Sequence, residues 1–362
     1  MKILIIYATA GAGHKKAAEA LYNRLLKENR HEVVFADALD YTTPFFRQSY
    51  SRVYTFLITR IPWLWGFFFE LLNQPWMSLV MEGMNRLNQA VNARSLDQYL
   101  REQQFDYIFS THFFPSDVAG YLKRIGKIKS IVITVITDFD VHRIWLARGV
   151  DRYAVASDWT REKTRLLGIP KDKTIVTGIP TDEKFSSHRD NSLLKKKLGL
   201  NENLFTVLIA TGSFGIGPIE QIVDKLTGMQ VLVVCGHNRR LAERLAKKAE
   251  SHAALKVYGF VNNMDELMSV ADAMITKPGG LSIAEALVTS LPLIFFNAIP
   301  GQEENNVKVL AVYRVGVSGP VSGIVSVLRG FQDSPEEYRS ARLRAQQLGK
   351  PNAAADILSL IK

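Results

Sequence analysis

Residues 2–20, KILIIYATAGAGHKKAAEA, decide the fold. The opening KILII is a short apolar run of the kind that forms a buried strand. AGAGH is a glycine turn, and the Ala-rich amphipathic stretch after it reads as a helix. A strand, a glycine turn and a helix usually bring backbone N–H groups up to a phosphate. This turn departs from both phosphate-binding patterns. Lys16 occupies the third glycine position of G-x-G-x-x-G, and no Gly-Lys-Ser/Thr ending is present. What remains is a tight turn that carries backbone close to a ligand, with His14 at the mouth of the helix. The positive end of the helix dipole favours neutral imidazole there, and neutral imidazole accepts a proton. His14 is therefore a candidate general base. The plainer alternative, a helix-start polar residue bonded to its own turn, stands equally open.

The strand–helix alternation continues along the chain. EVVFAD (32–37), YIFSTH (107–112), SIVITVITD (130–138), RYAVAS (152–157) and TIVTG (174–178) read as strands. A polar, turn-rich break follows at 178–204. Strands resume with FTVLIATGS (205–213), VLVVCG (231–236), LKVYGF (255–260), AMITK (273–277) and LPLIFF (291–296). Helical stretches such as RLAERLAKKAESH (240–252) separate most of them. Alternation of this kind predicts parallel sheets with helices on both faces. At 362 residues the chain is long enough for two such domains, joined by a hinge near 180–200.

Composition narrows the class. The chain is 47% hydrophobic and 22% charged, an ordinary balance for a water-soluble fold. Its one cysteine, Cys235, has no internal partner for a disulfide, which suits a reducing cytoplasm. Lys2 and the apolar run after it are too short for a signal peptide and read as a first strand. No apolar run approaches the roughly 20 residues that span a bilayer. The net charge of +10 is uneven: residues 1–180 carry 24 Lys+Arg against 17 Asp+Glu. A basic balance suits nucleic acid, an anionic membrane or simple solubility alike.

One segment fits no sheet. Residues 41–76, YTTPFFRQSYSRVYTFLITRIPWLWGFFFELLNQPW, hold 12 of the 36 aromatic residues. From Tyr41 to Phe69 the segment has Arg47, Arg52 and Arg60 but no acidic residue. Aromatics with arginine and no acids suit a helix lying among lipid headgroups. Phe45, Phe46, Arg52, Arg60, Trp63, Trp65, Phe67 and Phe68 are the expected membrane contacts. The alternative is a helical pair whose rings form ordinary core.

Two further glycine turns stand at strand ends. In ATGSFGIG, Gly212, Ser213 and Gly215 could form a backbone nest for phosphate. In ITKPGGLSIAEA (275–286), a strand runs into Pro278-Gly279-Gly280, with a helix expected near Ser282. Its first N–H groups would face an anion. Glu285 would repel a phosphate and makes better sense on the hydroxyls of a ribose. Otherwise it is a first-turn acid that complements the dipole. Gln302, Glu303 and Asn306, in NAIPGQEENN, suit a polyhydroxylated ligand.

At these residues the sequence resembles a family: the glycosyltransferases that make glycolipids from diacylglycerol. The matching pieces are GAGH (11–14), ITDFDVHRIW (136–145), GVDRYAVASD (149–158), VTGIP (176–180), YGFVNNMDELMSVADAMITKPGG (258–280), IAEAL (283–287) and IPGQEENN (299–306). They run nearly end to end, and the KPGG, AEA and PGQE series is the specific part. The resemblance implies a GT-B architecture, two Rossmann-like domains with parallel sheets facing a central cleft. Residues 1–180 would hold the acceptor and the membrane, residues 181–345 the UDP-sugar, and a helix in 346–362 would cross back.

It also implies roles. Phe260 and Val261 would hold uracil, and Glu285 the ribose. Gly279, Gly280, Ser282, Gly212 and Ser213 would hold the diphosphate, with Lys277 beside them. Gln302, Glu303 and Asn306 would meet the sugar. His14 falls at the family's proposed base. Gly13, His112, Asp138 and His142 are acceptor-side candidates, the last two as groups that orient His14 or the acceptor. The implied reaction moves glucose from UDP-glucose to diacylglycerol with inversion, at the cytoplasmic face of a membrane. It needs no metal, cofactor or nucleic acid. Transfer of galactose, a UDP-GlcNAc-using cell-wall transferase and a UDP-GlcNAc 2-epimerase are the alternatives.

Overall fold

The computed structural model describes all residues except 10, 188, 211, 213–216 and 297, and gives residues 51, 54, 58 and 59 by backbone alone. The chain divides into two compact units. The first comprises Met1–Asp182, Ile299–Asn305 and Asn352–Lys362; the second comprises Glu183–Ala298 and Asn306–Pro351.

The first unit is built on a six-stranded sheet. Its strands are β1 (Lys2–Tyr7), β2 (Glu32–Asp37), β3 (Tyr107–Ser110), β4 (Ile131–Val135), β5 (Arg152–Val155) and β6 (Thr174–Val176). All pairs are parallel, in the order β2-β1-β3-β4-β5-β6. Successive side chains point to opposite faces. Leu4 and Ile6 join Ile108, Val132 and Val118 on one face; Ile3 and Ile5 join Phe109, Leu21 and Leu25 on the other. Both faces are covered, so the strands read as unbroken apolar runs rather than alternating ones.

Six helices of this unit matter here: α1 (Ala12–Glu28), α2 (Pro44–Arg60), α3 (Pro62–Leu72), α4 (Met77–Asn92), α5 (Arg94–Gln103) and α6 (Phe113–Arg124). The Thr43 side chain caps α2, with Pro44 in its first turn. Pro62 has no N–H to continue that helix, so α3 starts afresh. The axis turns by 109° between Pro44–Leu57 and Pro62–Leu72. No single described helix is long and apolar enough to cross a membrane. The last helix of the chain, Ala353–Leu358, belongs to this unit because Ile357 and Leu358 pack beside Leu21 and Leu25.

The second unit repeats the plan. Its strands are β7 (Thr206–Ala210), β8 (Gln230–Val234), β9 (Leu255–Tyr258), β10 (Ala273–Thr276), β11 (Leu293–Phe295) and β12 (Val317–Ser318). They too are all parallel, ordered β12-β11-β10-β7-β8-β9. Val207, Ile209, Val231, Val233 and Ile275 line one buried face. Ten strands and two helical layers were expected beyond KILII, and β12 is the strand the sequence did not signal. It is two residues long, exposed and at the sheet edge, so it carries no apolar run.

Strand order fixes where ligands can sit. In each sheet the chain moves outward from a central strand and then returns to that strand's other side. The reversal lies between β1 and β3 in the first unit and between β7 and β10 in the second. The carboxyl ends at such reversals open a crevice that no connection covers.

Candidate active site

Three strand ends carry the residues around the first reversal. His14 follows β1, His112 follows β3, and Thr137 follows β4. Gly11 precedes α1 with extended backbone (φ −179°), and Ala12 is already helical, so the alanine costs no strain. His14 stands one turn inside, half-buried, beside half-buried Gly13. Its Nδ1 lies 2.9 Å from the Thr111 carbonyl oxygen and 2.9 Å from Thr137 Oγ1. A carbonyl only accepts, so Nδ1 carries the proton and Nε2 is left with its lone pair. The Thr111 hydroxyl donates to the His14 carbonyl at 2.8 Å, tying the helix start to the end of β3. Burial pushes the His14 imidazole down to about 4, against the opposing pull of the Thr111 hydrogen bond. The neutral form was expected from the helix dipole; in the structure burial favours it.

Two further histidines have their tautomers set by backbone. His112 caps α6: its Nδ1 accepts the Phe114 N–H at 3.1 Å. It is 1% exposed, and its ring meets the His14 ring edge-on at 4.6 Å. Burial, then the neighbouring His14, hold it well below the usual histidine range. His142 Nδ1 accepts the Ile144 N–H at 3.1 Å, and Nε2 donates to the Phe69 carbonyl at 2.7 Å. Burial pushes His142 down to about 4. Asp138 Oδ2 accepts from Gln302 Nε2 at 2.8 Å. His142 thus ties α3, and Asp138 ties the 299–305 loop, while Thr111 and Thr137 hold His14. Those two threonines, and Trp145 with its ring 5.9 Å from His14, were missed in the sequence. For the threonines the signal was their place at the ends of YIFST and ITVIT.

The segment Ile299–Asn305, a loop running into the first turn of the helix Gln302–Val312, packs on α3. A Cβ on Gly66 would meet Pro300 Cβ at 2.8 Å, and one on Gly301 would meet Phe69 Cδ1 at 2.7 Å. Gly301 also has φ +85°, a conformation that favours glycine. Glu303 Oε2 accepts the Ile299 N–H at 2.8 Å and so closes the loop.

The expected membrane contacts divide. Phe45, Trp63, Phe67 and Phe68 are exposed, as are Arg52 and Arg60. Phe46 packs inward, its ring 5.7 Å from Phe114 and against the sheet's core. Trp65 is half-buried beside Phe69. Phe46 falls outside the exposed face because it packs on the sheet's core, and Trp65 because it packs on Phe69. The exposed apolar surface also runs beyond the aromatic stretch. Leu79, Val80, Met84, Leu87 and Val91 of α4 are all exposed. The eye misses that stripe because it has no aromatic residue.

The second reversal carries the glycine turns. Gly212, at φ +68°, follows β7. The Pro278–Gly280 turn follows β10, the strand paired with β7. The helix Gly280–Val288 starts two residues before Ser282, with Gly279 as its cap residue and no side chain capping it. Among the described residues its first N–H groups thus have no side-chain cap. Ser282 and Glu285 are half-buried within it, and Lys277 is half-buried ahead of the turn. Asn306 is fully buried, and its amide donates to the Pro278 carbonyl at 3.0 Å. It braces the turn from beneath instead of facing a ligand. Phe260 follows β9; it is 59% exposed and stacks on His237 at 4.8 Å, with half-buried Val261 next to it. Ser213 and Gly215 lie outside the described residues. Among the described residues no three His, Cys, Asp or Glu side chains come together as metal ligands.

Comparison with known proteins falls on the same two parts. The family model of monogalactosyldiacylglycerol synthase matches residues 14–181. That of the glycosyltransferase family 28 C-terminal domain matches residues 206–316. A processive diacylglycerol β-glucosyltransferase of Bacillus cereus (strain G9842) is 31% identical over 310 residues, 84% of this chain and 78% of that one. The fold resembles that of MurG from Acinetobacter baumannii, with a TM-score of 0.62 at 16% identity over 99% of both chains. It also resembles Anabaena HepE solved with UDP-glucose, with a TM-score of 0.57 at 16% identity over 100% of both chains. The fold is thus that of the GT-B glycosyltransferases, and the chain belongs to the family of the monogalactosyldiacylglycerol synthases and the processive diacylglycerol β-glucosyltransferases.

Proposed function

We propose that the protein transfers glucose from UDP-glucose to the free hydroxyl of 1,2-diacylglycerol, with inversion at the anomeric carbon, at the cytoplasmic face of a membrane. The observation that carries this reading is His14. It stands at the β1/β3 reversal, neutral, with Nδ1–H engaged by Thr111 and Nε2 left as its only basic site. Nε2 removes the proton of the acceptor hydroxyl. The oxygen then attacks the anomeric carbon from the face opposite UDP, and a β-glucoside forms. An imidazole held neutral is a base throughout the neutral pH range.

The donor falls to the β7/β10 reversal. The first N–H groups of the helix Gly280–Val288 and the Gly212 turn, with Ser213, Ser282 and Lys277, hold the diphosphate. The positive end of that helix stabilises the charge that builds on it as it leaves. Glu285 takes the ribose hydroxyls, and Phe260 with Val261 takes uracil. Gln302 and Glu303 meet the sugar. The amides and helix start supply the positive charge that a metal would otherwise bring, so this reading needs none. The exposed Phe45, Trp63, Phe67 and Phe68, with Arg52 and Arg60, meet an anionic lipid surface.

The test is UDP release from UDP-glucose, with and without diacylglycerol vesicles. Release that depends on diacylglycerol and yields β-glucosyl-diacylglycerol supports the reading. Turnover of UDP-sugar without an acceptor points to an epimerase. Activity with UDP-galactose alone assigns the sugar differently and leaves the acceptor chemistry in place.

A further inference from the structure

His112 is the buried group that the mechanism above does not use. Its Nδ1 accepts a backbone N–H, so its proton is on Nε2. No hydrogen bond is made by Nε2 among the described residues, although the residue is 1% exposed. Nε2–H is therefore the one donor this ring has left for a ligand. The ring cannot act as a second base. Taking a proton on Nδ1 would break the cap of α6 and set a positive charge at a helix N-terminus. It would also do so 4.6 Å from the His14 ring, which takes up a proton during the reaction. His112 is therefore a donor only, and a neutral one. The surrounding rings are those of His14, Phe113, Tyr50 and Trp145, between 4.1 and 6.4 Å away. They make an apolar wall around one polar N–H.

We propose that His112 Nε2–H donates to an ester carbonyl of the acceptor lipid, next to the hydroxyl that His14 deprotonates. The proposal rests on the diacylglycerol reading above. A carbonyl oxygen is the complement of such a site: it only accepts, it carries no proton to compete for, and diacylglycerol has one beside its free hydroxyl. The pair then splits the work. His14 selects the hydroxyl, and His112 selects what stands next to it, which favours esterified glycerol over plain alcohols.

Two variants and two lipids test this. His112→Asn keeps a good helix cap but cannot reach the Nε2 position. His112→Gln restores an N–H near that position. Each is assayed in vesicles with 1,2-diacylglycerol and with its 1,2-dialkyl ether, which lacks the carbonyls. One neutral hydrogen bond corresponds to a factor of about 2–13 in affinity. The wild type should show a KM for the ester lower than for the ether by such a factor. His112→Asn should raise the ester KM to the ether level, and His112→Gln should recover part of the difference. A His112→Asn protein that keeps the wild-type ester preference overturns the proposal. So does a wild type that does not distinguish ester from ether, a result that stands even if the variants fail to fold. A wild type that glycosylates neither lipid overturns the diacylglycerol reading itself, and the proposal with it.

Discussion

Lowering the pH from 7 to 5.5 should leave the transfer rate of the folded enzyme nearly unchanged, because His14 is held at about 4. At pH 5.5 a group with that value is about 97% neutral, whereas an ordinary histidine is about 9% neutral. The same displacement bears on stability. Between pH 6.5 and 4 the unfolded chain binds a proton that the folded chain refuses. Stability is therefore full above 6.5 and falls as the pH drops through that window. His142, also held at about 4, acts in the same direction. A displacement of that size is worth about 3 kcal/mol per group. Two such groups reach a large part of the roughly 5–15 kcal/mol that stabilises a domain. The first unit should thus lose structure as the pH nears its folded-state values, and the acid fall of activity should coincide with unfolding. The assay is initial UDP release with a short-chain diacylglycerol across this range, with circular dichroism at each pH. An acid limb centred near 6.5 in protein that is still folded would refute the burial of His14 as the source of its neutrality.

Replacing His14 by Ala should lower kcat by about 10²–10⁴ with the KM for UDP-glucose retained; full transfer in that variant removes the base assignment. Glu285→Ala should mainly weaken donor binding, read by calorimetry with UDP-glucose, and unchanged affinity removes the ribose role. Gly301→Ala forces an L side chain into φ +85° against Phe69, and the backbone alone should cost about 1–2 kcal/mol in chemical denaturation. Trp63→Ser with Phe67→Ser should reduce sedimentation with anionic vesicles while leaving the thermal midpoint near the wild-type value, since both rings are exposed.

The fold was legible because both sheets are covered on both faces. Every strand except β12 is then a largely apolar run bounded by turns, and most crossovers are α-helices, the β4 to β5 connection with its short 3₁₀ turn Arg143–Trp145 being the exception. The glycine turns were legible for the same reason, since each ends such a strand. The partners of His14 were not legible. Thr111 acts through its backbone carbonyl, which any residue possesses, and Thr137 belongs to a different strand. Only the order β2-β1-β3-β4 brings the ends of β1, β3 and β4 together. Asn306 misleads in the opposite way. An amide in a polar loop reads as a ligand group until its burial under Pro278 is known.

The DFDVH stretch (138–142) shows how residues adjacent along the chain take separate attachments. Asp138 and His142 stand within a few residues of Thr137, so any reading by proximity along the chain places them around His14. Each has a different attachment. Asp138 holds Gln302, and His142 holds the backbone of α3 at Phe69. Phe69 in turn packs on Gly301, one residue before Gln302. The three contacts close a circuit within the first unit: β4 end to loop, loop to α3, α3 back to the β4 end. The loop that the reading assigns to the sugar is thereby fixed to the helix whose exposed face carries Trp63, Phe67 and Phe68. Glycine at 66 and 301, where a Cβ would collide, and a neutral His142 that accepts from Ile144 on Nδ1 while donating to Phe69 on Nε2, are what that circuit requires. Their roles are positional, and they explain why these residues accompany a base they do not touch.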